Sequence, residues 1–119
     1  SSDIISQVCL VGDGRKYFSA LVTLSETILK EMQSRNGAVD GLVVKDEGVL
    51  SSVKKHMDGV NRTLASYEKI KYFTVLSRDF SIEEGEMTPT LKMKRSVIEN
   101  RFRALIDRMY SAPSSAKED

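Results

Sequence analysis

Two runs of β-branched and aliphatic residues, Ile4 to Val11 and Tyr17 to Leu24, stand on either side of Gly12-Asp13-Gly14-Arg15. Runs of this composition joined by a Gly-Asp-Gly turn predict a β-hairpin. The remaining segments must then supply elements that pack on it. Ser25 offers an N-cap to a short helix from Glu26 to about Ser34, which Asn36-Gly37 ends. The stretch from Asn36 to Val44 reads as a loop, with a short extended piece at Leu42-Val43-Val44.

From Asp46 to about Ser66, the apolar residues Leu50, Val53, Met57, Val60 and Leu64 recur at spacings of 3, 4, 3 and 4. That period places them on one stripe of a helix. Ile70 to Leu76 reads as a third strand, and Phe80 to Glu86 as a polar, turn-rich connection. After Thr88-Pro89-Thr90, the helical pattern returns from Met93 to Tyr110 through Ile98, Phe102, Leu105 and Met109. The order strand, strand, helix, helix, strand, helix predicts an α+β domain: a small three-stranded sheet with a hairpin, packed by about three helices. Residues 1–112 are expected to form one domain, and Pro113 to Asp119 a frayed, disordered tail.

Composition narrows the classes of function. With 119 residues, 40% of them apolar and 29% charged, the chain has the make-up of a single globular domain. A net charge of +1 gives no global field toward nucleic acid or an anionic membrane, and no nucleic-acid partner is expected. Cys9 is the lone cysteine and sits inside Val8-Cys9-Leu10-Val11, so a buried, inert thiol is expected. One cysteine and one histidine do not make a zinc site, and no metal ligands are assigned. A reducing, cytoplasmic setting is the expectation. No apolar stretch approaches the ~20 residues that span a bilayer. Ser1-Ser2-Asp3 is neither a signal peptide nor a natural start, so the chain reads as a piece of something longer.

Gly12-Asp13-Gly14 has the look of a nucleotide-binding glycine loop, but two glycines between two strands fit a hairpin turn better. His56 has no partner at a useful spacing and reads as a partly exposed helix residue. Glu83, Glu84 and Glu86 read as solvated carboxylates in a turn. Lys92, Lys94, Arg95, Arg101 and Arg103 form a cationic cluster opposed locally only by Glu99. Lys92 differs from the others because it precedes the helix proper and is not committed to its packing stripe. Pro89 fixes local backbone direction on the approach to it. A lysine delivered in this way suits the stabilisation of charge that develops in a transition state.

The segments Ile4 to Leu24, Asn61 to Leu76 and Gly85 to Tyr110 together resemble the C-terminal domain of adenylate-forming enzymes. The form Thr88-Pro89-Thr90-Leu91-Lys92 resembles the long-chain fatty acyl-CoA synthetase branch, with Leu91 standing where most members have glycine. Lys92 and Arg95 keep the Lys-x-x-Arg spacing of the family's final motif. The resemblance implies a two-step ligation. A fatty acid carboxylate attacks the α-phosphate of ATP and expels pyrophosphate; the thiol of coenzyme A then displaces AMP. It implies that Lys92 is the catalytic lysine of the first step and that Arg95 is a nucleotide contact. It implies ATP, Mg2+ and coenzyme A as cofactors of the full-length enzyme. The partners it implies are a long-chain fatty acid and the protein's own N-terminal domain, absent from this fragment. The full enzyme is expected to associate peripherally with membranes, because its substrate partitions there. Alone, the fragment is expected to be inactive.

Two other readings remain open at this point. One is a non-enzymatic binding module that uses the cationic last helix against an anionic partner. The other is a plain structural or dimerisation domain, in which Lys92 would carry no activity.

Overall fold

The computed structural model describes residues 3–111. The elements run β1 (Ile5–Val11), β2 (Phe18–Leu24), α1 (Glu26–Gln33), β3 (Val39–Asp40), β4 (Val43–Val44), α2 (Glu47–Asn61), a 3-10 turn (Ser66–Glu68), β5 (Ile70–Val75), α3 (Arg95–Arg101) and α4 (Arg103–Ser111). The three-stranded sheet has the order β1-β2-β5. β1 and β2 form the expected antiparallel hairpin, with Val8 opposite Val22 and Cys9 opposite Leu21. β5 lies parallel to β2. A parallel neighbour requires a long crossover, which α1, the small β3–β4 pair and α2 provide. The tail expected at 113–119 lies outside the described residues.

β2 explains why the sequence reads as it does. Side chains alternate across a strand, and every residue of β2 from Ser19 to Leu24 is buried. Ala20, Val22 and Leu24 enter one core with Met32 of α1 and with Val49, Val53 and Met57 of α2. Leu21 enters a second core with Cys9, Val11, Ile98, Phe102, Ile106 and Met109. Helices therefore cover both faces of the sheet, and the central strand is apolar throughout.

Local chemistry sets the ends of the helices. The Ser25 hydroxyl accepts from the Ile28 N–H at 3.4 Å, and the Asp46 carboxylate from the Val49 N–H at 3.0 Å. The second helix stops at Asn61, short of the expected end near Ser66. The Asn61 amide donates to the Ile70 carbonyl and accepts the Ile70 N–H, both at 2.9 Å, so a side chain substitutes for a strand partner at the start of β5. The last helix, expected to be continuous from Met93, begins at Arg95 and is divided at Phe102. Among the described residues there are four α-helices where about three were expected. Of the predicted stripe residues, Ile98, Phe102 and Met109 are buried and Leu105 only half so, while Ile106, outside that stripe, is buried as well.

The hairpin loop is tied to α4. The Tyr110 hydroxyl donates to the Tyr17 carbonyl at 2.7 Å, and the Tyr110 and Tyr17 rings stack at 4.8 Å. Arg15 lies over the Tyr110 ring and pairs with Asp107 at 2.7 Å. Gly12 lies beneath this contact with φ +137, where an added Cβ would fall 2.8 Å from both the Tyr110 hydroxyl and the Tyr17 carbonyl. Gly14, with φ +76, has open space around it. Gly12→Ala should therefore cost about 2–4 kcal/mol in urea unfolding, against about 1 kcal/mol for Gly14→Ala. Equal costs would contradict this packing.

Candidate functional site

The segment around Lys92 folds into a short hairpin of its own. The Lys94 N–H donates to the Glu86 carbonyl at 2.8 Å, Met87 faces Met93 in an antiparallel bridge, and the Thr88 N–H donates to the Lys92 carbonyl at 2.8 Å. Between them the Leu91 N–H closes a turn onto the Thr88 carbonyl at 2.8 Å. Pro89 occupies the second position of that turn, which its fixed φ suits. The Thr88 hydroxyl accepts the Lys92 N–H at 3.0 Å and lies 3.1 Å from the Thr90 hydroxyl. Thr88 thus grips the backbone of Lys92 through both its main chain and its side chain.

Leu91 has φ +66, in the left-handed region that favours glycine, and remains 66% exposed. The backbone keeps the geometry of a three-residue hairpin loop whose last position is ordinarily glycine. Leucine holds that position without packing to offset the strain.

The base of the hairpin is anchored by Glu86, which is completely buried. Its two carboxylate oxygens accept from Arg78 at 2.8 and 2.7 Å, and one of them also accepts the Ser81 N–H at 3.2 Å. Arg101 of α3 approaches at 3.5 Å and pairs with Glu84 at 2.7 Å. Burial alone would raise the Glu86 carboxyl. The hydrogen bonds from Arg78 and the Ser81 N–H, with the charges of Arg78 and Arg101, outweigh it and hold the group below its ordinary range. The expectation that Glu83, Glu84 and Glu86 are all solvated is therefore wrong for Glu86. Only Glu83 and Glu84 face water. The sequence signal was weak: Arg78 precedes Glu86 by eight positions across a turn, a spacing that belongs to no regular element.

Lys92 is exposed at this hairpin and lies ahead of α3. Among the described residues, its ammonium has no hydrogen-bond or ion-pair partner. Arg95 is differently placed: in the first turn of α3 its guanidinium donates to the Leu10 carbonyl of β1 and pairs with Glu99 at 3.9 Å. The structure thus leaves one cation of the pair open and ties the other to the sheet. Arg103 bonds Asn100 at 3.1 Å, so much of the cationic cluster is engaged within the chain. Cys9 is wholly buried, and burial pushes its thiol up, against the opposing charge of Arg95. That fits an inert thiol. His56 lines an apolar cleft beside Met57 and Val60. Among the described residues, no group of three or more His, Cys, Asp or Glu side chains is placed to hold a metal.

The family model of the AMP-binding enzyme C-terminal domain matches residues 1–114, and the chain belongs to that family. It is 30% identical to the long-chain-fatty-acid–CoA ligase FadD15 of Mycobacterium tuberculosis over 112 residues, covering 91% of this chain and 19% of that protein. It is 34% identical to the long-chain-fatty-acid–CoA ligase ACSBG2 of Rattus norvegicus, covering 92% of this chain and 19% of that one. The fold is similar to part of the A-PCP didomain of a carboxylic acid reductase from Segniliparus rugosus, solved in complex with AMP. That match has a TM-score of 0.70 and 23% identity, over 93% of this chain and 14% of the other. The chain thus spans about a fifth of the length of the curated relatives it matches.

Two consequences follow for stability. Leu91→Gly should stabilise the chain by about 0.5–1 kcal/mol by relieving the left-handed strain, whereas Leu91→Ala should not. Glu86→Gln should cost about 2–3 kcal/mol, because Arg78 loses its carboxylate. The wild-type contribution is present above the ordinary carboxylate pKa and disappears as pH falls through the depressed folded value. The difference between wild type and Glu86→Gln should accordingly shrink below about pH 4. A difference that stays constant down to pH 2 would count against the ion pair.

Proposed function

We propose that this chain is the mobile C-terminal domain of an ATP-dependent, AMP-forming long-chain fatty acid–CoA ligase, and that Lys92 is its adenylation lysine. The substrate class rests on the names of the relatives. The observation that carries the lysine assignment is the hairpin: it fixes the Lys92 backbone from both sides and leaves the ammonium exposed. Residues 1–112 are taken as the unit that moves, against an N-terminal domain that holds the nucleotide and the acyl chain.

In the first step, a fatty acid carboxylate oxygen forms a bond to the α-phosphorus of ATP while the bond to pyrophosphate breaks. The two reactants are both anions and repel each other. A point cation brought to them on a rigid turn offsets that repulsion and follows the charge as it shifts toward the leaving group. No proton transfer is required of Lys92. The ammonium is compact and carries its charge at one atom, which suits a site shared by two oxyanions. Arg95 is retained as a nucleotide contact, on its motif position, through the donors that Leu10 and Glu99 leave unused.

Magnesium would travel with the nucleotide phosphates and the larger domain, and no residue described here is assigned to it. Coenzyme A would supply the thiol that displaces AMP in the second step, and no residue of this chain is assigned to that either. The enzyme is taken to be cytoplasmic. Peripheral contact with membranes remains part of the proposal because its substrate partitions into lipid. No helix among the described residues is long and apolar enough to cross a membrane.

A binding module built on the cationic last helix is the weaker reading. Arg95 pairs with Glu99, and Arg101 with Glu84 and Glu86, so that face is largely neutralised from within.

In the full-length parent, Lys92→Ala should slow pyrophosphate release from ATP and a long-chain fatty acid by about 10²–10³-fold. Thioester formation from pre-made acyl-adenylate and coenzyme A should stay near the wild-type rate. Lys92→Arg should restore little of the first step. If both half-reactions persist in Lys92→Ala, the lysine assignment is wrong.

A further inference from the structure

Ile70, at the start of β5, lines two clefts at once. One, of about 510 Å³, opens between the C-terminal half of α2 and the sheet, walled by Val8, Leu10, Phe18, Met57 and Val60. The other, of about 460 Å³, is walled by Lys16, Tyr17, Tyr67, Lys69 and Lys71. They adjoin at Ile70, and consecutive residues, Tyr17 with Phe18 and Tyr67 with Glu68, are divided between them. Each is within the size range of small-molecule sites, roughly 300–1,000 Å³.

The first cleft is where the apolar stripe of α2 leaves the core. Val53 and Met57 are buried, but Val60 remains 37% exposed, facing a groove that also exposes Leu10 at 38%. The second cleft concentrates positive charge. Among the described residues, none of Lys16, Lys69 and Lys71 has a carboxylate partner, as is also true of Lys45, Lys55 and Lys94 elsewhere on the surface, but here three such cations line one cleft with a single acid beside it. Lys69 donates to the Asn61 carbonyl at 3.0 Å, which leaves further donors, and Lys71 lies over the Tyr17 ring at 5.6 Å. The acid lining these walls is Glu68, whose carboxylate accepts the Ala65 N–H at 3.0 Å.

We propose that the two clefts form one binding site for a single-chain aliphatic carboxylate, a long-chain fatty acid. Its tail lies in the apolar cleft and its carboxylate among the three lysines. An apolar groove that adjoins ammonium groups with no carboxylate partner among the described residues is complementary to that class of molecule in both shape and charge. A nucleotide would leave the larger, apolar half unfilled. A bilayer surface would be met by a protruding apolar face, and both features here are concave. The site is separate from Lys92 and does not rest on the adenylation reading.

The test titrates the 119-residue chain with carboxyl-13C-labelled palmitate below its micelle concentration, reading the carboxyl resonance. One saturable site is expected. Methyl palmitate should bind about tenfold more weakly or worse, as should palmitate to the Lys16→Ala/Lys71→Ala double variant. Val60→Trp should fill the groove and weaken binding with no change in the far-ultraviolet circular dichroism. Equal affinity for the methyl ester, which needs no variant to measure, would overturn the proposal. So would non-saturating binding, or an unaffected lysine double variant. Tighter binding of lysophosphatidic acid than of palmitate would overturn the carboxylate assignment in favour of a phosphate head.

Discussion

A carboxylate withdrawn fully from water holds together the part of the molecule that presents Lys92. Burying such a charge is tolerated only when it is paired and hydrogen-bonded, and Glu86 meets that condition through Arg78, Arg101 and the Ser81 N–H. Its partners come from three places: the segment after β5, the turn that follows, and α3. The backbone of the same residue accepts the Lys94 N–H that closes the hairpin. A single side chain therefore registers sheet, helix and loop against one another.

Packing around this ion pair explains a feature that periodicity would not reveal. Arg78 lies 5.5 Å from the centre of the Phe102 ring, and Phe102 packs edge-on against Phe80 at 6.1 Å. Phe102 has φ −106 and ψ 25, outside helical values, and divides α3 from α4. Hydrogen bonds still span the division, from the Phe102 N–H to Ile98 and from the Ile106 N–H to Phe102, both at 3.0 Å. The backbone departs from helical geometry there while the apolar stripe stays on the second core. Because that core also contains Met87, the hairpin rests on the same packed layer as the helices behind it. A cation mounted in this way needs little reorganisation when an anion arrives, which is what makes fixed charges effective in catalysis.

Much of this was legible in the residues wherever local chemistry decides the outcome. The Gly12-Asp13-Gly14 turn, the Ser25 cap and the 3-4 spacing through Val53 and Met57 each act over a few positions, and the hairpin, α1 and the start of α2 formed where expected. Legibility failed where distant segments decide. Nothing near Ile70 indicates that β5 runs parallel to β2, or that the Asn61 side chain will pair with it and end α2 early. Glu86 looked like its neighbours because only Arg78 and Arg101, set by the fold, distinguish it. For the candidate site, the exposed position of Lys92 followed from its place ahead of a helix. The tether of Arg95 to the Leu10 carbonyl did not, since 85 residues separate the two.

The central claim is that the Lys92 ammonium, held at a fixed hairpin, meets the anionic reactants when the domain closes on them. The most direct measurement is competitive amine labelling of the full-length parent, with and without ATP and a non-reactive analogue of the fatty acid. The account predicts that Lys92 becomes protected by about tenfold or more, the effect of a charge-assisted contact. Lys54 and Lys55, on the outer face of α2, should label at unchanged rates. Unchanged labelling of Lys92 with both ligands bound would contradict the account.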